Sequence, residues 1–111
     1  MDLREDTVGG VTVVEVKGRI DNTTAPVLAE RLMAGLRDAR VRVVLDLSRL
    51  EYIGSAGFRV LLVAAKHADQ TGGRLVLCGI SGRISQVFNV GGFLDLFTVA
   101  ENRAAGIAAA G

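Results

Sequence analysis

Ser55 is placed where a buried strand gives way to a strongly apolar helix, within Val43-Val-Leu-Asp-Leu-Ser-Arg-Leu-Glu-Tyr-Ile-Gly-Ser55-Ala-Gly-Phe-Arg-Val-Leu-Leu62. A serine at a helix start can cap it, its oxygen accepting an orphan backbone N–H for about 1 kcal/mol. The same hydroxyl can be covalently switched. Phosphorylation would add about −1.5 to −2 charges and three acceptor oxygens at one surface spot. The helix dipole and free N–H groups favour negative charge there, so the fold would survive while the surface changed. Both readings, cap and switch, follow from one placement. The small neighbours Gly54, Ala56 and Gly57 would let a partner approach the backbone closely; equally, they permit tight packing. Asp21 reads either as a loop acid forming an Asx turn or, beside Ser55, as a source of like-charge repulsion for a phosphate.

Other chemistry fits poorly. A hydrolase elbow needs G-x-S-x-G, and the residue two before Ser55 is Ile53. The only histidine, His67, lies twelve residues further along the same expected helix, roughly 18 Å away at 1.5 Å per residue, too far to serve as base. Neither G-x-x-x-x-G-K-[ST] nor G-x-G-x-x-G is present. No spaced cluster of His, Cys and carboxylates suggests a metal; Asp46 is a single carboxylate inside a strand. The expectation is a protein without enzymatic activity, metal or cofactor.

Composition narrows the partners. The 111 residues are 50% hydrophobic, which suits one compact domain over 1–111 with its own core. Thirteen basic and twelve acidic residues leave a net charge of +1, with no basic stripe and only 5% aromatics. Nucleic acid is therefore a poor candidate partner. Cys78 is the sole cysteine, so no internal disulfide exists, and its apolar strand reads as a site for an inert buried thiol. The amino terminus lacks an apolar signal region. Val60 to Ala65, the longest apolar run, falls far short of the ~20 residues a membrane span needs. A soluble cytoplasmic protein without membrane association is expected.

The elements that must position Ser55 follow from the hydrophobic pattern. Leu3 to Val8 reads as a weak strand, Gly9-Gly10 as a hairpin turn, and Val11 to Lys17 as a β-branched strand. Gly18 to Thr23 reads as a polar loop, after which Thr24 caps a helix with Pro26 in its first turn, running to about Ala39. Leu28, Leu32 and Leu36 lie on one stripe of that helix. Val41 to Leu47 is a strand buried on both faces, and Ser55 to about Gln70 is a helix ending at Gly72-Gly73. A strand over Leu75 to Cys78, a helix over Gly82 to Val90, a short strand over Leu96 to Val99 and an alanine-rich helix over Glu101 to Ala110 complete the chain. The last helix is free either to pack on the sheet or to fray. The predicted class is α/β, a single domain with a central, mostly parallel sheet of four or five strands, an N-terminal antiparallel hairpin and about four helices. Asp21 and Ser55 each follow a strand and precede a helix, at the sheet end where partners of open α/β sheets meet the loops.

These motifs resemble the STAS domain family, and in particular the anti-sigma factor antagonists (anti-anti-sigma factors) of bacterial partner-switching systems. Gly18-Arg-Ile-Asp21-Asn-Thr-Thr-Ala-Pro26 is similar to that family's G-E/R-[IL]-D-x-x-[ST]-A-P stretch. Val44-Leu-Asp-Leu-Ser48 with Tyr52-Ile-Gly-Ser55-Ala-Gly57-Phe-Arg-Val-Leu61 resembles its strand and phosphoacceptor motif. Gly72 to Leu77 and Val87 to Phe93 resemble later family patches, so the likeness covers nearly the whole chain. In two positions the chain departs: Gly54 stands where the family has an acidic residue, and Phe58 where it has leucine.

The resemblance implies a mechanism and partners. The unmodified protein would bind an anti-sigma factor that is itself a serine kinase of the histidine-kinase-like ATPase type, freeing a sigma factor or other client. Phosphorylation at Ser55 would end that binding, and a PP2C-type phosphatase would reset it. The implied contact surface comprises Asp21, Asn22, Thr23, Gly54, Ser55, Ala56, Gly57, Phe58 and Arg59. Phe58 also reads, from its apolar surroundings, as core. A rival reading is a STAS accessory subunit of a lipid-trafficking ABC transporter, in which the Ser55 loop contacts an ATPase without a phosphorylation cycle. A nucleotide or small-molecule sensor is a third.

Overall fold

The computed structural model describes residues 1–111. Its sheet begins with β1 (Asp2–Val8) and β2 (Val11–Ile20), an antiparallel pair joined at Gly9 and Gly10. Their φ values of 55° and 80° are what a two-residue turn of this hand requires. Then follow α1 (Ala25–Gly35), β3 (Arg42–Ile53), α2 (Ser55–Gln70), β4 (Arg74–Cys78), α3 (Gly82–Val90), a 3₁₀ turn (Phe93–Leu96), β5 (Thr98–Ala100) and α4 (Arg103–Ala110).

The five strands lie in chain order, β1-β2-β3-β4-β5, and every pairing after the hairpin is parallel. Crossovers of one hand that always step in one direction deliver α1, α2 and α3 to the same face. There they close the main core, in which Val16, Ile20, Leu28, Leu32, Leu36, Leu45, Leu61, Leu77 and Phe88 are sealed from solvent. Phe58 stacks on Phe93 at 4.3 Å and meets Phe88 edge-on at 4.8 Å. α4 covers the opposite face, over Val11, Val13, Val44, Val76 and Cys78. The terminal helix is therefore packed, and Gly106 is what permits it: a Cβ there would sit 3.0 Å from Val44 and 3.5 Å from Cys78.

Several boundaries differ from the sequence expectation, and at the ends of β2 and β3 strand pairing is the reason. Gly18 to Ile20 is strand rather than loop, because Gly18 to Ile20 pair with Leu50 to Ile53 across a bulge. Gly18 takes the positive φ of 102° near that irregularity. The same pairing carries β3 through to Ile53, so only Gly54 separates strand from helix. α1 stops at Gly35, four residues early, and Leu36 remains buried as its cap. Leu96 ends the 3₁₀ turn instead of opening the last strand, and Asn102 caps α4 by accepting the Ala105 amide at 2.9 Å. No helix is long and apolar enough to cross a membrane.

Candidate functional site

The polar site forms at the carboxyl ends of β2 and β3. The Gly54 amide donates to the Ile20 carbonyl at 2.9 Å, which binds the residue before Ser55 to the residue before Asp21. Gly57 holds the junction closed, since a Cβ there would lie 2.7 Å from both Ile20 Cγ2 and Ile53 Cγ1. The loops bearing Asp21 and Ser55 are thus neighbours, as their shared placement in the sequence anticipated.

Ser55 is not the helix cap. Gly54 occupies that position in extended conformation, Ser55 is the first residue of α2, and no side chain caps the helix. The strand runs on to Ile53, six residues past its expected end at Leu47, which leaves Gly54 in the cap position. Ser55 is exposed, and its hydroxyl enters none of the protein's side-chain hydrogen bonds.

Asp21 does form the Asx-type arrangement. Its Oδ1 accepts from the Thr23 amide (3.0 Å), the Thr23 hydroxyl (2.7 Å) and the Thr24 amide (3.1 Å). The Thr23 hydroxyl first, then the Thr24 and Thr23 amides, hold the carboxyl down at about 2. It is ionised at any physiological pH, and Oδ2 enters none of these bonds. Thr24 sits at the cap position of α1 but does not cap it: its hydroxyl turns back to the Arg19 carbonyl at 2.8 Å and accepts the Asp21 amide at 2.9 Å.

The remaining expected contact residues divide by exposure. Asn22, Thr23 and Arg59 are exposed, Gly54 and Ala56 half-buried, and Gly57 buried. Phe58 is only 5% exposed. Its ring belongs to the aromatic core, so it supports the helix start from beneath and offers no contact surface. His67 lies at the far end of α2 from Ser55.

Two features of this sheet end escaped the sequence. The Arg19 guanidinium lies over the Tyr52 ring, 4.2 Å from its centroid, a pairing set by their cross-strand register. On the α4 face, Arg103 donates Nε and Nη2 to Asp46 Oδ2 at 3.1 and 2.9 Å, and Nη2 also to Glu15 Oε2 at 2.9 Å. Asp46 is therefore no isolated carboxylate. Burial raises its pKa, but the Ser48 amide and Arg103 outweigh burial and the net direction is down.

Comparison with known proteins adds to this geometry. The family model for the STAS domain matches residues 3–106. The chain belongs to the STAS domain family. A Bordetella bronchiseptica protein, BtrV, named as an anti-sigma factor antagonist, is 41% identical over 98% of this chain and 94% of its own. The anti-sigma-B factor antagonist of Staphylococcus epidermidis is 30% identical, covering 91% of this STAS chain and 95% of that protein. Among solved structures, an anti-sigma factor antagonist from Mycobacterium paratuberculosis superposes with a TM-score of 0.80 at 28% identity, over 98% of this chain and 92% of that one.

Proposed function

We propose that this STAS domain is an anti-sigma factor antagonist, a non-enzymatic cytoplasmic regulator that docks on an anti-sigma factor/serine kinase and is released when that kinase phosphorylates Ser55. The observation that carries the reading is the unengaged, exposed Ser55 hydroxyl at the first residue of α2, joined to the Asp21 loop through Gly54 and Ile20. The Ser55 oxygen is not engaged in capping α2.

Phosphate at the first helical turn is compatible with α2, because the dipole and free amides favour negative charge. The fold is retained while the docking face gains close to two charges, and that charge is costly where a complementary surface has been desolvated against it. Asp21, Asn22, Thr23, Ser55, Ala56 and Arg59 supply the contact, with the half-buried Gly54 beside Ser55 letting the partner's active site approach the backbone, while Gly57 is buried beneath the junction. A PP2C-type phosphatase restores the unmodified form. Two relatives at or above 30% identity carry antagonist names, which favours this reading over a transporter accessory role.

The test is incubation of this chain with ATP and the anti-sigma factor antagonised by the Bordetella relative, followed by intact-mass measurement. Wild type should gain one phosphate and Ser55→Ala none. Phosphate on the Ser55→Ala protein, or none on wild type, would defeat the assignment.

A further inference from the structure

Arg19 is the unusual cation of this face. It forms none of the protein's four ion pairs, and instead sits over the face of Tyr52, a ring that is 41% exposed. Its backbone is fixed by the Thr24 hydroxyl bonded to its carbonyl, and Tyr52 is its partner in the β2–β3 register. Gly54 makes room for the arrangement: a Cβ at that position would stand 3.1 Å from the Tyr52 hydroxyl oxygen. The Arg19–Tyr52 stack therefore borders the residue immediately before Ser55. Arg59 is also exposed, likewise absent from the ion pairs, and one helical turn from Ser55 on the same flank of α2.

Arg19, the register partner of Tyr52, and Arg59, four residues after Ser55 on α2, are thus two exposed guanidiniums outside every ion pair. A guanidinium held over an aromatic face by cation–π attraction, and engaged in no ion pair, retains N–H donors that can grip a carboxylate with two parallel hydrogen bonds. Asp21, the acid of the same face, has one oxygen already committed to its own loop. We infer that Arg19, held on Tyr52, and Arg59 are the specificity-determining cations of the docking face, reading carboxylates on the partner's surface. This inference rests on the antagonist reading and supplies the sign of its switch. A phosphate on Ser55 adds negative charge to the same face, offsets these cations, and meets the partner's acids with like charge.

The experiment measures affinity of the same purified Bordetella anti-sigma factor for wild type, Arg19→Gln, Arg19→Glu, Arg59→Gln, Tyr52→Ala and Ser55→Asp, at low and high salt. The glutamine variants should each weaken binding about five- to tenfold at low salt and converge toward wild type at high salt, with unchanged melting temperature. Arg19→Glu should weaken it further and be rescued by reversing one partner carboxylate to lysine. Tyr52→Ala should fall between wild type and Arg19→Gln. Unchanged affinity of both glutamine variants, or tighter binding by Arg19→Glu, would overturn the inference while leaving the antagonist reading intact. Absent binding by wild type would overturn both. Weakened glutamine variants alongside an unimpaired Ser55→Asp would sink the switch and leave the cation contact standing.

Discussion

The amide of Gly54 and the carbonyl of Ile20 meet at 2.9 Å, and this one backbone contact places Asp21 and Ser55 on a common rim. Everything the rim can do depends on β2 and β3 remaining paired to their last residues. Gly57 packs beneath, with no space for even a methyl group between Ile20 and Ile53. Gly57→Ala should therefore destabilise the fold. The helix gains about 1 kcal/mol from alanine, but overpacking costs roughly 1–3 kcal/mol, so a net loss of about 1 kcal/mol is expected. Urea denaturation measures it; a more stable variant would contradict the packing described.

Asp21 links the same rim to acid sensitivity. Its carboxyl is lowered from 3.8 to about 2 by the Thr23 and Thr24 donors. A group depressed in the folded state contributes stability that is present above its unfolded value and lost as pH falls through its folded value. The Asp21 contribution should accordingly be intact above about pH 4 and disappear between about 4 and 2. Asp46, also shifted downward, adds in the same sense. Acid titration of Asp21→Asn should show a shallower stability loss over that window than wild type. Superimposable curves would contradict the hydrogen-bonded loop.

Arg103 is the pin of α4. Removing it would leave Asp46, 6% exposed, buried without its cation. Fully buried pairs cost 3–5 kcal/mol when broken, but the Arg103 side chain is 38% exposed and solvent screens the contact. Arg103→Gln should cost about 1–2 kcal/mol. Asp46→Asn combined with it should recover part of that loss, because the stranded charge is gone. A chemical-denaturation cycle over the two sites tests the coupling.

Cys78 reports on the same helix. Burial first, and the neighbouring Asp46 second, push its thiol up to about 11. In the native protein a disulfide reagent near pH 8 should therefore react slowly, at the rate α4 opens. Arg103→Gln should accelerate the reaction several-fold. Equal rates in the two proteins would mean that Arg103 does not hold α4 down.

The order of strands and helices was legible because each buried element carries its own period: the Leu28, Leu32, Leu36 stripe and the unbroken Val43 to Leu47 run are local signals. The Ser55 junction was legible for the same reason, an apolar strand ending in small residues before an apolar helix. What stayed hidden is held by distant partners. Arg103 reaches back 57 residues to Asp46 and 88 to Glu15, and nothing near Arg103 announces either contact. Gly18 to Ile20 looks like a loop because Gly18 is a poor strand former and Asp21-Asn22 follow closely, and only the register with β3 makes it strand. That hidden pairing is also what stacks Arg19 on Tyr52, and what moves the cap from Ser55 to Gly54.

The central claim is that a free oxygen at position 55 governs who can occupy this face. Calorimetric affinity for the Bordetella anti-sigma factor, compared between the unmodified chain and the same chain carrying one phosphate at Ser55, measures it most directly. The phosphorylated form should bind roughly a hundredfold more weakly, since like charges set against each other in a desolvated contact cost several kcal/mol. Equal affinity of the two forms would contradict the account.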